Sequence, residues 1–164
     1  MDTHIAYLSV GSNLGDKLRN CRRALEALAA DGAVRVQARS RVYRTEPVDY
    51  TEQEWFINQV VRVETELEPA ALLDRLQEVQ RRLGRTKPAV RFGPRVVDLD
   101  ILLYDRLVLE GPRLSLPHPR MHRRRFVLKP LCDIDPDLVH PVLGRDVRTL
   151  LAELGEESQE VVEL

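Results

Sequence analysis

Arg91-Phe92-Gly93-Pro94-Arg95-Val96-Val97-Asp98-Leu99-Asp100-Ile101-Leu102-Leu103-Tyr104 sets two carboxylates into an apolar run directly after a rigid basic loop. The length and the β-branched, bulky residues of Val96 to Tyr104 predict a strand. Alternation then puts Val97, Leu99, Ile101 and Leu103 on one side and Asp98 and Asp100 on the other. The two carboxylates would stand roughly 6.5 to 7 Å apart along the chain, where ionised groups repel unless a cation lies between them. Oxygen ligands without His or Cys suit Mg²⁺ or Mn²⁺, and Mg²⁺ is typically held by one or two carboxylates together with substrate phosphates. A D-x-D on a solvated strand face is the bland alternative. Lys87, Arg91 and Arg95 beside it favour a polyphosphate substrate over that alternative.

Working outward, 164 residues with 43% hydrophobic content suffice for one domain spanning 1–164 with a real core. A net charge of −1 leaves no global field to recruit nucleic acid or an anionic membrane, so any basic site is local. No signal peptide or membrane span is legible, and Cys21 and Cys132 lack metal-ligand spacing. Free thiols in the cytoplasm are expected.

Upstream, Ile5 to Val10 reads as a strand, followed by a turn at Gly11-Ser12-Asn13 and a helix capped by Asp16. Leu18, Cys21, Leu25 and Leu28 form its stripe and Gly32 stands at its end. The Gly11 turn is read as a tight turn rather than a phosphate cradle, since no Walker lysine-serine pair follows. Val34 starts a half-exposed strand running towards Tyr43, Arg44 to Gln53 reads as a long loop, and Trp55 to Glu66 resumes as a strand. On that strand Asn58 is an amide among apolar neighbours, either solvating an edge or reading a heterocycle. A second helix runs from Pro69 to Gly84 on Leu72, Leu73, Leu76, Val79 and Leu83.

Downstream, Asp105-Arg106 is expected to close a hairpin onto Leu107 to Leu109, with Leu114 to Pro117 as a short edge piece. Pro117 to Leu128 is expected to open on a proline bracket around His118 and continue as a basic amphipathic helix. A helix over Val147 to Leu154 and a last strand at Val161-Val162 complete the chain. The order β-α-β-β-α-β with C-terminal additions predicts an α+β, ferredoxin-like sandwich with a mainly antiparallel sheet.

Taken together, Gly11-Ser12-Asn13-Leu14, Tyr43-Arg44-Thr45, Gly84-Arg85, the Arg91 to Asp100 segment, and Pro117-His118 followed by Arg124 and Phe126 resemble the 6-hydroxymethyl-7,8-dihydropterin pyrophosphokinase family over about Ile5 to Leu131. The resemblance implies transfer of pyrophosphate from ATP to the pterin hydroxymethyl group, with AMP leaving. Asp98 and Asp100 would hold two Mg²⁺ ions, while Lys87 and Arg95 close over the phosphates and Arg85 supports their loop. The pterin would meet Thr45, Glu46, Pro47, Val48, Phe56, Asn58 and Phe126. ATP would meet Gln77, Gln80, Arg85, Lys87, Arg95, Ile101, Arg113, Ser115, His118 and Arg124. The chain departs from the family's usual residues at Gln80, where Glu is common, at Phe92, commonly Trp, and at Lys87, frequently Arg. A monomer without nucleic-acid or membrane partners is expected. An RNA-binding ferredoxin-like module is the alternative from another class, disfavoured by 5% aromatic content and a pI of about 6.4. A different Mg²⁺-dependent phosphotransferase that releases ADP is the third reading.

Overall fold

The computed structural model describes residues 2–48, 51–84 and 96–164. The basic segment 85–95, carrying the expected Arg85, Lys87 and Arg95, lies outside them, as do residues 49–50.

The chain runs β1 (His4–Ser12), α1 (Lys17–Ala29), β2 (Val34–Arg39), β3 (Tyr43–Thr45), β4 (Phe56–Thr65), α2 (Pro69–Arg82) and β5 (Asp98–Tyr104). It continues as β6 (Leu109–Glu110), β7 (Ser115–Leu116), α3 (Arg125–Ile134), α4 (Val147–Leu154) and β8 (Val161–Glu163). The main sheet has the antiparallel order β5-β1-β4-β3-β8, with β2 also pairing β4. Each of the first two helices carries the chain past one strand position, which is the predicted ferredoxin-like arrangement. The caps behave as read: Asp16 accepts from the Arg19 N–H at 3.2 Å, and Pro69 occupies the first turn of α2.

Helices cover both faces of the sheet. The α1 and α2 stripes of Leu25, Leu28, Leu72, Leu76 and Val79 pack on Leu8, Val10, Val61, Leu99 and Ile101. On the opposite face Val127, Leu128 and Leu131 of α3, with Val147 and Leu150 of α4, pack on Tyr7, Val60 and Leu103. Full burial of each such aliphatic side chain contributes about 1.5–3 kcal/mol.

Several boundaries differ from the sequence reading. The expected half-exposed strand from Val34 to Tyr43 is two strands, and Arg44 and Thr45 belong to β3 rather than to the following loop. Gly11 and Ser12 extend β1, where they pair with Asn58 and Ile57. In β5 the register jumps from Tyr7↔Leu103 to Leu8↔Ile101, leaving Leu102 as an extra residue. That bulge turns Leu103 away from Leu99 and Ile101 into the second core, so the four apolar residues do not share one face. The Leu102 carbonyl instead accepts the His118 N–H at 2.8 Å. Leu109 pairs with Leu116 in a separate two-stranded ribbon, not back onto β5.

The expected basic helix over Pro117 to Leu128 starts later. Pro117 and Pro119 disfavour the helical conformation of the residues before them, and Pro117 follows a cis peptide bond. A 3-10 turn at Met121–Arg123 follows, and α3 begins at Arg125. Its apolar period, Val127, Leu128 and Leu131, runs on through Pro130 to Ile134.

Candidate active site

Register places the functional side chains. Across β5, β1, β4 and β3, one row reads Asp98, Gly11, Asn58, Tyr43, and Asp100 opposes Ser9. Directly opposed residues point to the same face, so the carboxylates and the Asn58 amide share the face that carries α3. Gly11 stands between them. A Cβ there would lie 2.5 Å from Asn58 Nδ2, so only glycine lets the amide lie over β1. Sequence reading gave this glycine to a turn; its role comes from a strand pairing 47 residues distant (11 to 58).

Asn58 is 5% exposed, and its Oδ1 accepts the Thr45 hydroxyl. Thr45, 1% exposed, faces Phe56 in the β3–β4 ladder. Thr45, Phe56 and Asn58 thus form one continuous patch, with Pro47 buried beside it and Glu46 and Val48 half-buried. Asn58 does not solvate a sheet edge, since β4 is central. The returning end of the 46–55 segment is tied down as well. Asn13 Nδ2 donates to Gln53 Oε1 at 2.8 Å and to the Glu54 carbonyl at 3.2 Å, and Lys17 Nζ donates to the Trp55 carbonyl at 2.9 Å. Arg44 lies over the Trp55 ring, 4.5 Å from its centroid. The Gly11-Ser12-Asn13 motif therefore acts as a strand end and loop clamp.

Phe126 stands half-buried in the first turn of α3, with Arg124 5.4 Å from its ring centroid. Its N–H donates to Gln159 Oε1 at 3.0 Å. Gln159 was not legible in the sequence, where it is one polar residue of an acidic tail.

The nucleotide candidates fall into two groups. Arg113 reaches Gln77 Oε1 at 2.9 Å and also pairs with Asp74, joining α2 to the segment before β7. Ser115 and His118 line a cleft of about 600 Å³ beside the β6–β7 ribbon. His118 Nδ1 accepts the Arg120 N–H at 3.1 Å, which leaves its proton on Nε2. Burial, with Arg124 and Arg120 nearby, pushes this imidazole down to about 4, so it is a neutral donor at physiological pH. Gln80 and Ile101 point elsewhere. Ile101 is buried in the α1–α2 core, so only its main chain can meet a nucleotide. Gln80, 5% exposed, uses its Oε1 to accept the Leu99 N–H at 2.8 Å. That bond ties α2 to β5 between Asp98 and Asp100.

No group of three or more His, Cys, Asp and Glu side chains able to hold a metal occurs among the described residues. A pair of carboxylates fits a hard cation that takes its remaining ligands from phosphates and water, and does not fit zinc.

The sequence model described as 7,8-dihydro-6-hydroxymethylpterin-pyrophosphokinase (HPPK) matches residues 7–136. A 2-amino-4-hydroxy-6-hydroxymethyldihydropteridine pyrophosphokinase of Methylorubrum extorquens is 46% identical over 158 residues, 96% of this chain and 98% of that protein. Its namesake in Bacillus subtilis is 46% identical over 131 residues, 80% of this chain and 78% of that protein. The folic acid synthesis protein fol1 of Pneumocystis carinii is 42% identical over 147 residues; the match covers 90% of this chain and 20% of that protein. A solved HPPK-DHPS in complex with substrates superposes with a TM-score of 0.71 at 17% identity, over 95% of this chain and 44% of that one, a likeness of fold.

Proposed function

The chain belongs to the 7,8-dihydro-6-hydroxymethylpterin-pyrophosphokinase family, and from that premise we propose how its residues share the work. It is an ATP-dependent pyrophosphokinase of folate biosynthesis, acting on a pterin. The RNA-binding reading is not favoured.

The observation that carries the division of labour is the row Asp98, Gly11, Asn58 on one sheet face. Two inter-strand steps separate the Asp98 and Asn58 backbones by roughly 10 Å, and glycine between them lets the Asn58 amide lean over β1 towards the aspartates. A flat bicyclic pterin read at its amide edge by Asn58 can therefore extend its hydroxymethyl arm towards Asp98 and Asp100. Phe56 and Phe126 supply aromatic surface, and the Thr45 to Val48 segment supplies main-chain partners.

The hydroxymethyl oxygen attacks the β-phosphorus of ATP, the bond from that phosphorus to the α-phosphate oxygen breaks, AMP leaves and the hydroxyl proton passes to solvent. Asp98 and Asp100 are the residues that would hold Mg²⁺, two ions on this reading, which would supply charge neutralisation for the transferred group and favour deprotonation of the alcohol. Lys87 and Arg95 are assigned to the transferred phosphates and Arg85 to a supporting role on the family resemblance, all three lying outside the described residues. His118 donates its Nε2–H to a phosphate oxygen without adding charge. Arg124, Ser115, Arg113 and Gln77 surround the nucleoside and phosphates. For Gln80 the Leu99 bond argues for a role in placing the aspartate strand.

Incubation with ATP, Mg²⁺ and 6-hydroxymethyl-7,8-dihydropterin should release AMP in step with pterin consumption. ADP as the product overturns the reading. Asp100→Asn should slow AMP release by more than the about 10- to 100-fold that outer-shell metal partners cost, with an unchanged melting temperature. Near-wild-type turnover in that variant removes the aspartate pair from the mechanism.

A further inference from the structure

The C-terminal segment of the chain holds a single buried residue. From Leu151 to Leu164 every residue is exposed or half-buried except Gln159, which is 3% exposed. A buried amide needs partners for both ends, and Gln159 has them on two different walls of the pterin site. Its Oε1 accepts the Phe126 N–H at 3.0 Å, and its Nε2 donates to the Glu46 carbonyl.

Both contacts answer a local deficit. The N-cap residue of α3, Arg124, provides no side-chain cap; its carbonyl takes the Val127 and Leu128 N–H groups, and the Phe126 N–H must find its acceptor elsewhere. Gln159, 33 residues downstream, supplies one to Phe126. On the other wall Glu46 follows the last residue of β3, where ladder pairing with β4 has ended. The tail continues that pairing: the Glu46 N–H donates to the Glu160 carbonyl at 3.0 Å, the Glu160 N–H donates to Glu46 Oε1 at 3.0 Å, and Thr45 opposes Val161. Gln159 thus sits at the corner where strand augmentation by β8 meets the start of α3.

We propose that Gln159 is a positioning residue for pterin binding: its amide fixes the spacing between the Thr45–Val48 segment and Phe126, so the C-terminal strand sets the width of the pterin pocket. The family match stops at residue 136, so the device lies outside the segment that defines the family. The inference rests on the placing of pterin between these two walls. Gln159 acts through Glu46 and Phe126 and takes no part in the chemistry. Its loss therefore weakens pterin binding selectively, leaving ATP binding intact.

The test measures pterin and ATP affinities separately, by calorimetry on the full chain, with steady-state KM and kcat. Gln159→Leu, which keeps the volume and removes both bonds, should raise the pterin Kd and KM about tenfold, the effect of losing one to two hydrogen bonds, with ATP affinity changed less than twofold. Gln159→Glu keeps an acceptor for Phe126 and loses the donor to Glu46, so it should give a smaller, still pterin-selective effect and serves if the leucine variant folds poorly. Equal weakening of ATP and pterin, or unchanged pterin affinity, overturns the proposal. Asn58→Ala is the reference. If it leaves pterin affinity unchanged, the placing of the pterin fails; if it weakens pterin binding while both Gln159 variants do not, only the Gln159 proposal fails.

Discussion

At the scale of single residues, what matters most is the absence of a side chain. Gly11 sits in ordinary strand pairing, yet a methyl group there would meet Asn58 Nδ2 at 2.5 Å, well inside contact distance. Gly11→Ala must push the amide aside, and Asn58 is tied through Thr45 and cannot move freely. Overpacking of this kind costs about 1–3 kcal/mol, and we expect the pterin KM to rise more than the ATP KM. A variant with wild-type pterin KM would show that the amide is not held over β1 for substrate. The thiols are residues of the opposite kind. Burial pushes Cys21 up to about 12, which leaves it an inert core side chain.

At the scale of elements, the aspartate strand is held at both faces and at one edge. The β1 ladder fixes which residues of β5 face the site, and the Leu102 bulge lets the same strand serve two cores. Gln80 adds the bond from α2 to Leu99. Gln80→Leu leaves a buried N–H without its acceptor, which costs about 1–3 kcal/mol. We expect a lower urea midpoint and a fall in kcat, since Leu99 lies between Asp98 and Asp100. A variant that loses ATP affinity with unchanged stability and kcat would instead place Gln80 against the nucleotide. The far end of α3 is anchored likewise: Tyr43 donates to Asp133 at 2.7 Å, and Arg62 pairs with Asp135 at 2.9 Å. Burial, helped by Asp135, pushes the Tyr7 phenol up to about 12, so it stays a protonated donor to that carboxylate.

At the scale of the whole molecule, the histidines and Asp146 shift in the same direction. Burial lowers His118, His122 and His140 below their ordinary value, and hydrogen bonds from Thr149 lower Asp146. Each depressed group takes up a proton more readily unfolded than folded, so stability falls with falling pH. For the histidines the loss begins below about 6.5, and for His118 it runs to about 4; for Asp146 it lies below the ordinary carboxylate range. Between pH 7 and pH 5 His118 alone should cost about 1–2 kcal/mol, after allowance for its partial exposure. The urea midpoint should drop over that interval, and less so in His118→Gln. An equal drop in both proteins would assign the acid sensitivity to other groups.

Much of this was legible from the chain. Apolar periods at 3.6 and 2 residues, the Asp16 cap, Pro69 and the terminal glycines determined the two long helices, four of the strands and their order, because those signals are local. The D-x-D in an apolar run likewise determined that two carboxylates share a face. Pairing across strands determined the rest. That Gly11 lets the Asn58 amide lie over β1, that Gln80 ties α2 to Leu99, and that a bulge redirects Leu103 all depend on tertiary pairing and register, which no local pattern encodes. The sequence suggests an earlier start for α3 because the prolines and arginines before it mimic a helix entry, while its apolar face is defined only by the sheet it covers. Gln159 had no sequence signal at all: its two partners, Phe126 and Glu46, lie 33 and 113 residues away, and only the closed fold brings a buried amide to the corner where the Phe126 N–H and the Glu46 carbonyl meet it.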